Sequence, residues 1–331
     1  MSLLSVSLPR PVDVVRWLVA SQAQDFSGAK WALGLRTPGL SDADVEREFD
    51  QGAFLRTHVL RPTWHFVCPE DLRWLLALSA PRVHARTAPQ YRRLGLDARR
   101  LARGTQVIAR ALEGGRHATR DQLRQALARA RLPLENQPLA HLLMHAELEA
   151  VVTSGPRAGK QQTYALVEER VPPGRKLARD EALVELAGRW LAGRAPATAQ
   201  DFANWSGLTV REARAALAAV SPEPPRASPA KLPRAHLLSI FDEYLSSYKD
   251  RSAICEPAFA RRLYGMGSAH LYVLIVDGKV AGSWKRSVAE GVVAVRVTAF
   301  RALTRAEERA VAAAAGRYAR YLGCELELAI A

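Results

Sequence analysis

The chain has 331 residues, a length that fits two to four domains better than one. It is 48% hydrophobic and 24% charged, which is the composition of a globular protein. No apolar run approaches the roughly 18 residues of a membrane span, and the first residues, MSLLSVSLPRPVD, lack the pattern of a signal peptide. The cysteines Cys68, Cys255 and Cys324 form no CxxC pair, which argues against a disulfide framework or a cysteine-built zinc site and fits a reducing cytosol.

Positive charge is concentrated in one segment. The formal net charge is +14, and residues 82–131 contain 13 arginines, no lysine and only three acidic residues, Asp97, Glu113 and Asp121. Clustered arginine favours a polyanionic partner, because each phosphate that it neutralises releases condensed counterions. The alternative is a sequence that uses arginine for lysine throughout, with no partner implied.

The first elements predict a winged helix. Residues 11–22 predict a helix with one apolar face, residues 27–35 a second helix, and Ser41 the N-cap of a third. The segment AFLRTHVLRPTWHFV follows and predicts two strands joined near Leu60 and Pro62. Three helices followed by a two-stranded hairpin are typical of the winged-helix motif.

The same order recurs along the chain. Helices are predicted at 98–112, 119–131 and 137–149, followed by a hairpin over VVTSGPRAGKQQTYALV. Further helices are predicted at 180–193, from Thr198, and from Thr209, with Gly207 at the turn between the last two. We therefore predict three winged-helix units, at 1–95, 96–173 and 174–222.

The remainder has a different character. Residues 223–235 are rich in proline and small residues and predict a linker. Residues 236–331 predict a β-rich domain, with a hairpin turn at Asp277-Gly278, a helix over 304–321 capped by Thr304, and a final strand. The predicted fold class is α+β, mainly α.

Two glutamines stand out near the start. Gln22 and Gln24 flank one small residue at the predicted end of the first helix. Paired carboxamides supply donors and acceptors that stay neutral at every pH, so they orient water or read a base edge but do not act as strong bases. The alternative is two solvated glutamines at the end of a helix.

Four separated blocks resemble the AlkZ/YcaQ-type winged-helix DNA glycosylases in order and spacing. The blocks are SQAQDFSGAKWALGLR, LRTHVLRPTWHFVCPEDLRWLLAL, FDEYLSSYKDR and VDGKVAGSWKR. The resemblance implies three tandem winged-helix domains, a C-terminal barrel-like domain, and excision of alkylated bases from double-stranded DNA. Gln22-Ala23-Gln24 matches the Gln-apolar-Gln motif of the AlkZ branch, and Asp25 lies one residue too late for the Gln-apolar-Asp motif of the YcaQ branch.

The chemistry of such a reaction suits two amides. Hydrolysis of an N-glycosidic bond passes through an oxocarbenium-like sugar, and an N7- or N3-alkylated purine is already cationic and leaves readily. The protein then has to hold a water and stabilise the cation, with Gln24 positioning the water and Gln22 holding the lesion or Gln24. The predicted substrates are cationic alkylpurines, extending to the crosslinks built from them. No lysine lies in the motif, which predicts a monofunctional enzyme.

Two of these blocks supply further candidates for binding DNA or the lesion. In RPTWHFV, we expect Arg61 at a phosphate and Trp64 or His65 near the lesion. Strand alternation puts Thr63 and His65 on one face, which makes them the better pair for the site and leaves a core position open for Trp64.

In FDEYLSSYKDR, Lys249 and Arg251 are candidate phosphate ligands. Asp242 and Tyr244 could line a pocket, but a structural cluster of ion pairs and aromatic rings at a domain junction is the favoured alternative.

No metal or nucleotide cofactor is predicted. His141 and His145 share a helix face, but Leu142 stands where a zinc protease has glutamate, and no third ligand is evident. Gly265-Met-Gly267 lacks the rest of a phosphate loop, and there is no GxSxG elbow. We expect a cytoplasmic, nucleoid-associated monomer. The rival hypotheses are a regulator with winged helices that binds DNA without catalysis, and an inactive relative that binds damaged DNA.

Overall fold

The computed structural model is an α+β fold in which about half of the chain is helical and the strands form three separate sheets. It describes residues 2–220, 233–265 and 272–331. Most of the predicted linker and the second glycine of Gly265-Met-Gly267 lie outside these ranges. Within them, no helix has the length and apolar character needed to cross a membrane.

The first region contains the helices and the hairpin that the sequence predicts. Its elements are α1 (Ser2–Ser5), α2 (Pro11–Leu18), β1 (Ala20–Gln22), α3 (Phe26–Gly34), α4 (Asp42–Asp50), β2 (Leu55–His58), β3 (Trp64–Val67) and α5 (Pro69–Arg93). The Ser41 side chain caps α4 in a capping box with Asp44. The antiparallel β2–β3 hairpin is confirmed, and its turn includes Leu60 in a left-handed conformation, with φ of 64°.

The predicted helix over 11–22 is wrong at its end. The helix stops at Leu18, Val19 has φ of 67°, and the next three residues form β1. This strand pairs antiparallel with β3, and Gln22 lies opposite His65. The sheet satisfies backbone groups that an extended helix would also satisfy, and it buries Ala20 and Ser21. The helical pattern could not show this competition, because the partner strand lies about forty residues away in the sequence.

The second region repeats helices and a small sheet. It comprises α6 (Ala98–Leu112), β4 (Ala118–Thr119), α7 (Arg120–Arg129), α8 (Asn136–Leu148), β5 (Val152–Ser154), β6 (Thr163–Leu166) and α9 (Val167–Arg170). Thr119 and Gln122 form the expected capping box. The β5–β6 hairpin is confirmed, and β4 adds to it in the order β4-β6-β5.

The third region has helices as its regular elements over its described residues, 174–220. It consists of α10 (Arg179–Arg194), α11 (Ala199–Ser206) and α12 (Val210–Ala218). Thr198 and Thr209 cap the last two helices as predicted, and Gly207 ends α11 with φ of 77°. These described residues include no strand that could form a wing.

The C-terminal region forms one five-stranded sheet and three helices. Its elements are β7 (Ala235–Leu238), α13 (Glu243–Ser246), α14 (Pro257–Gly265), β8 (Tyr272–Val276), β9 (Lys279–Ala289), β10 (Val292–Ala299), α15 (Arg305–Leu322) and β11 (Glu325–Ile330). The strand order is β11-β10-β9-β8-β7. The expected barrel is therefore not closed, because β7 and β11 are opposite edges of an open sheet and α15 packs across it.

Two hydrophobic cores meet in the first region. One core joins the face of the first sheet that carries Leu55 and Val67 to α5 and to the second and third regions. The other joins α2–α4 and Phe66, on the opposite face of that sheet, to the C-terminal sheet and α15. The β1–β3–β2 sheet is thus buried on both faces, which fixes the position of the residues at its ends.

Gly207 provides a test of how the third region packs on the β2–β3 hairpin. A Cβ atom at Gly207 would lie 2.7 Å from the Leu60 carbonyl oxygen in the β2–β3 turn, whereas one at Gly114, which has the same φ of 77°, would meet nothing within 4 Å. Gly114→Ala should cost about 1 kcal/mol for the left-handed conformation. Gly207→Ala should cost about 1–3 kcal/mol more, because a backbone atom has to move. Urea denaturation measures the free energy of unfolding of both variants. Equal losses would show that the contact with Leu60 does not affect stability.

Candidate active site

Gln22 lies where the first sheet meets the third and C-terminal regions. Its backbone N–H donates to Glu243 Oε1 at 3.2 Å, and its side-chain Oε1 accepts from Arg61 Nη2 at 3.3 Å. The side chain is half-buried. The Arg61 donor identifies the amide oxygen of Gln22 and leaves the NH₂ group pointing away from Arg61.

Gln24 is held by β3 and is exposed. Its Oε1 accepts from the Trp64 backbone N–H at 3.4 Å, and Ala23 N–H donates to the Trp64 carbonyl oxygen at 2.7 Å. Each glutamine oxygen has a second lone pair, so both amides can accept from a water in addition to their protein donors. The two carboxamides are accessible and are oriented by different donors.

Arg56 is a residue that sequence reasoning missed. Its Nε donates to the Ala23 carbonyl oxygen at 2.8 Å and its Nη2 to the Gln24 carbonyl oxygen at 3.3 Å. The guanidinium lies 4.3 Å from the centre of the Trp64 ring. Burial lowers its pKa, although arginine remains charged at neutral pH. Arg56 therefore fixes the backbone of the glutamine motif from the neighbouring strand. In the sequence, Arg56 is one polar residue in a strand of alternating pattern, and that pattern does not indicate a contact with the glutamine motif.

Arg61 joins a second arginine near the glutamines. Burial lowers the pKa of Arg61, the Glu243 carboxylate raises it, and the positive charge of Arg86 lowers it. Arg86 is therefore close to Arg61, and its side chain is exposed on α5. The buried Nε of Arg61 has no hydrogen-bond partner. Arg61 thus brings positive charge to Gln22, and Arg86 adds to the positive charge around Arg61.

The structure arranges the wing residues differently from the alternation prediction. His65 is 0% exposed, whereas Trp64 is half-buried against Arg56 and His58. His65 shares the sheet face of its cross-strand neighbour Gln22 but does not reach solvent. Thr63 precedes the strand, and its buried Oγ1 has no hydrogen-bond partner. Packing by the second and third regions, which strand alternation does not reveal, buries the face that carries His65.

The surroundings of His65 keep its imidazole ring neutral. Burial, followed by the charge of Arg61, lowers its pKa well below 6.5. Its Nδ1 lies 2.9 Å from the Thr63 carbonyl oxygen, which requires the proton on Nδ1. Nε2 is then a bare acceptor, and it is buried with no partner. His65 thus presents a lone pair, not a proton, on the face that it shares with Gln22.

The FDEYLSSYKDR segment is largely structural. Asp242 forms a buried, bidentate ion pair with Arg36, at 2.8 and 2.9 Å, and the Tyr244 hydroxyl donates to the Gly278 carbonyl oxygen at 2.7 Å. These contacts confirm the favoured alternative for Asp242 and Tyr244. The Lys249 side chain is exposed, whereas the half-buried Arg251 donates from Nε to the Leu245 carbonyl oxygen at 2.7 Å.

Glu243 was not among the predicted site residues. Its buried carboxylate accepts from Arg194 Nη2 at 2.8 Å, from Trp205 Nε1 at 2.9 Å and from Ser247 Oγ at 2.8 Å, besides the Gln22 backbone. Burial opposes its ionisation, but the Arg194 charge and these hydrogen bonds hold its pKa below the ordinary value. The backbone of the glutamine motif therefore forms a hydrogen bond with a buried anion.

The arginine-rich segment is mostly on the surface. Residues 82–131 span the end of α5, α6 and α7. Ten of their thirteen arginines are exposed, namely Arg86, Arg92, Arg93, Arg99, Arg103, Arg110, Arg116, Arg120, Arg129 and Arg131. Exposed guanidiniums on α5, α6 and α7 give this part of the molecule a high density of positive charge.

Comparison with known proteins shows the family to which the chain belongs. The model of a protein family described as "DNA glycosylase AlkZ-like" matches residues 15–321, and the chain belongs to this family. It is 25% identical over 306 residues to an interstrand DNA cross-link repair glycosylase of Streptomyces sahachiroi, covering 84% of this chain and 82% of that protein. The solved structure of Streptomyces sahachiroi DNA glycosylase AlkZ has the same fold, with a TM-score of 0.76 and 22% identity, over 100% of this chain and 96% of that one.

The buried, neutral His65 predicts a pH dependence of stability. Its pKa in the folded protein is lowered, so as the pH falls through 6.5 the unfolded chain takes up a proton that the folded chain does not. Between pH 7.5 and 5.0, His65 should therefore cost the wild type on the order of 2 kcal/mol of unfolding free energy. Urea denaturation at both pH values should show a smaller loss for His65→Asn. Equal losses would show that the folded protein protonates His65.

Proposed function

We propose that the chain is a monofunctional DNA glycosylase that hydrolyses the N-glycosidic bond of cationic N7- or N3-alkylated purines. Interstrand crosslinks built from such purines are a second substrate class, in line with the name of the Streptomyces sahachiroi relative. The observation that carries the proposal is the pair of accessible carboxamides, Gln22 and Gln24, beside the cationic patch of Arg61 and Arg86.

The proposed mechanism assigns each amide a role in the expulsion of a good leaving group. Gln24, exposed at the surface, holds the attacking water through its free lone pair, and Gln22 contacts the lesion. As the bond breaks, positive charge moves from the purine to the sugar, and the amide dipoles stabilise it there. The departing base becomes neutral, so no acid has to protonate it. Neutral groups thus suffice for a cationic lesion and fail for an undamaged purine.

The lysine positions support a monofunctional reaction. Lys30, the lysine closest in sequence to the motif, is 3% exposed and donates to Asp42 at 2.7 Å. An amine held in a buried ion pair is not available to form a Schiff base with the sugar. We expect an intact abasic site as the product, with strand cleavage only after alkali treatment.

The proposal extends to the architecture and the surroundings of the enzyme. In it, the first and second regions act as winged-helix units that grip double-stranded DNA, the third region adds helices without a wing among its described residues, and the C-terminal sheet completes the scaffold. Arg61, Arg86 and Lys249 contact phosphates, Trp64 and Thr63 flank the lesion, and Arg251 and His65 support these contacts from partly or wholly buried positions. The protein works as a cytoplasmic, nucleoid-associated monomer and requires neither a metal nor a nucleotide cofactor for base release.

Base release tests the assigned roles. A duplex containing 7-methylguanine is incubated with the wild type, Gln22→Ala and Gln24→Ala, and released base is measured. Each variant should be about 100-fold slower or worse, because a contact to the developing charge is lost. Gln51→Ala, which alters an exposed glutamine at the end of α4, is the matched control and should match the wild type.

Several outcomes would reject the proposal. Equal base release by all four proteins would refute the roles of the two glutamines. Binding to one preferred sequence without base release would favour a non-catalytic regulator. Tight binding to the lesion duplex with no release would favour an inactive relative.

Salt dependence tests the cationic patch. Arg86→Gln should weaken DNA binding equally for all sequences and reduce the slope of log K against log salt by about 0.9, the value for one phosphate contact. The control is Arg296→Gln, which removes an exposed arginine from β10 in the C-terminal sheet. An unchanged slope for Arg86→Gln would place the DNA elsewhere on the surface.

A further inference from the structure

A second cluster of reactive side chains lies between α5 and α8, outside the glutamine site. His84 of α5 faces His145 and Glu149, which are four residues apart at the C-terminal end of α8. One ligand atom from each of these three residues lies within 4.8 Å of the other two. The sequence suggested only the pair His141 and His145. The structure replaces His141 with His84, which is 61 residues before His145, and adds Glu149.

The imidazoles of this cluster have unused nitrogen atoms. His145 Nδ1 and His84 Nε2 are both buried and make no hydrogen bond. His84 Nε2 lies 2.9 Å from Glu149 Oε1, but this contact lacks the geometry of a hydrogen bond. Buried nitrogens without partners are uncommon in folded proteins, and a bound ion is one of the few ways to satisfy them. Two such atoms in one cluster, beside a carboxylate, point to a cation.

The cluster can be reached from solvent through its carboxylate. The carboxylate of Glu149 is half-exposed, which leaves a route for an ion to enter from solvent.

The ligand types and distances fit zinc. Two imidazole nitrogens and one glutamate oxygen form a common zinc ligand set, with water as the fourth ligand. Three atoms no more than 4.8 Å apart have a common centre within about 2.8 Å of each. Zinc requires about 2.0–2.2 Å, so each ligand atom has to move inward by only about 0.7 Å.

We propose that His84, His145 and Glu149 bind one zinc ion that fastens α5 to the end of α8. Helix α5 continues directly from the wing strand β3, and α8 belongs to the second region. The ion therefore ties the first region, which carries the glutamine motif, to the second region. This site is independent of base release and does not rest on the proposed function.

Zinc binding to the full chain tests the proposal. After treatment with a chelator and its removal, the wild type should bind one zinc per chain in a calorimetric titration. Excess zinc should raise its Tm by about 3 °C or more, because the ion binds the folded state. Cobalt at the same site should give visible absorption bands typical of four-coordinate nitrogen and oxygen ligands.

Two histidine variants on the same helix make a matched comparison. His145→Gln should lose zinc binding and the rise in Tm, and His84→Gln should do the same. His141→Gln, one turn earlier on α8, should retain both, because His141 Nδ1 bonds instead with the Gln137 carbonyl oxygen at 2.9 Å. The proposal fails if the wild type binds no zinc, or if His141→Gln loses binding as fully as His145→Gln. The cobalt spectrum of the wild type decides the matter even where a variant does not fold.

Discussion

The buried Glu243 carboxylate is the contact on which the arrangement of the site depends. It receives hydrogen bonds from the end of β1, from α10, from α11 and from its own short helix. A carboxylate this deep is stable only while its donors remain, and removal of one charged partner from such a pair costs about 3–5 kcal/mol. Because one of the four donors is the Gln22 backbone, the position of the glutamine motif is set by the packing of distant regions.

The packing of distant regions around the first sheet also explains why this sheet carries the candidate site. The sheet is buried on both faces, by the core that includes α5 and the third region and by the core that includes the C-terminal sheet. Its open ends are therefore the places where side chains can emerge in fixed directions. Gln22 is the last residue of β1 and Trp64 is the first residue of β3, so the glutamine motif and the β2–β3 hairpin meet at the same end of the sheet. Rigid elements of this kind hold catalytic groups more precisely than loops do.

Local sequence signals predicted most of the elements. The predictions that failed did so because of contacts between residues far apart in the sequence. Ser41, Thr119, Thr198, Thr209 and Thr304 all cap helices where the sequence places them, because capping depends on residues within one turn.

The candidate site was harder to predict than the elements. Gln22 and Gln24 emerged from a family resemblance, but the strand that holds them depends on a partner about forty residues away. Arg56 and Glu243 gave no usable signal, since each contacts the motif from a position that is distant in sequence. His65 shows the limit of alternation: the pattern assigns it to a sheet face, and only the packed structure shows that this face is covered.

The charges around the glutamines bear on how such a site selects its substrate. Arg61 and Arg86 bring positive charge to the edge of the motif, where phosphates would compensate it. Glu243 places a negative charge at the backbone of Gln22, on the inner side of the same motif. In the proposed reaction the total charge of the lesion is unchanged as the bond breaks, and only its position shifts, from the base to the sugar. His65 is neutral and cannot donate a proton from Nε2, and the amides do not titrate. In the proposed reaction, selection therefore rests with the leaving group: a base that arrives with its own positive charge departs, and a neutral base, which needs an acid, stays attached.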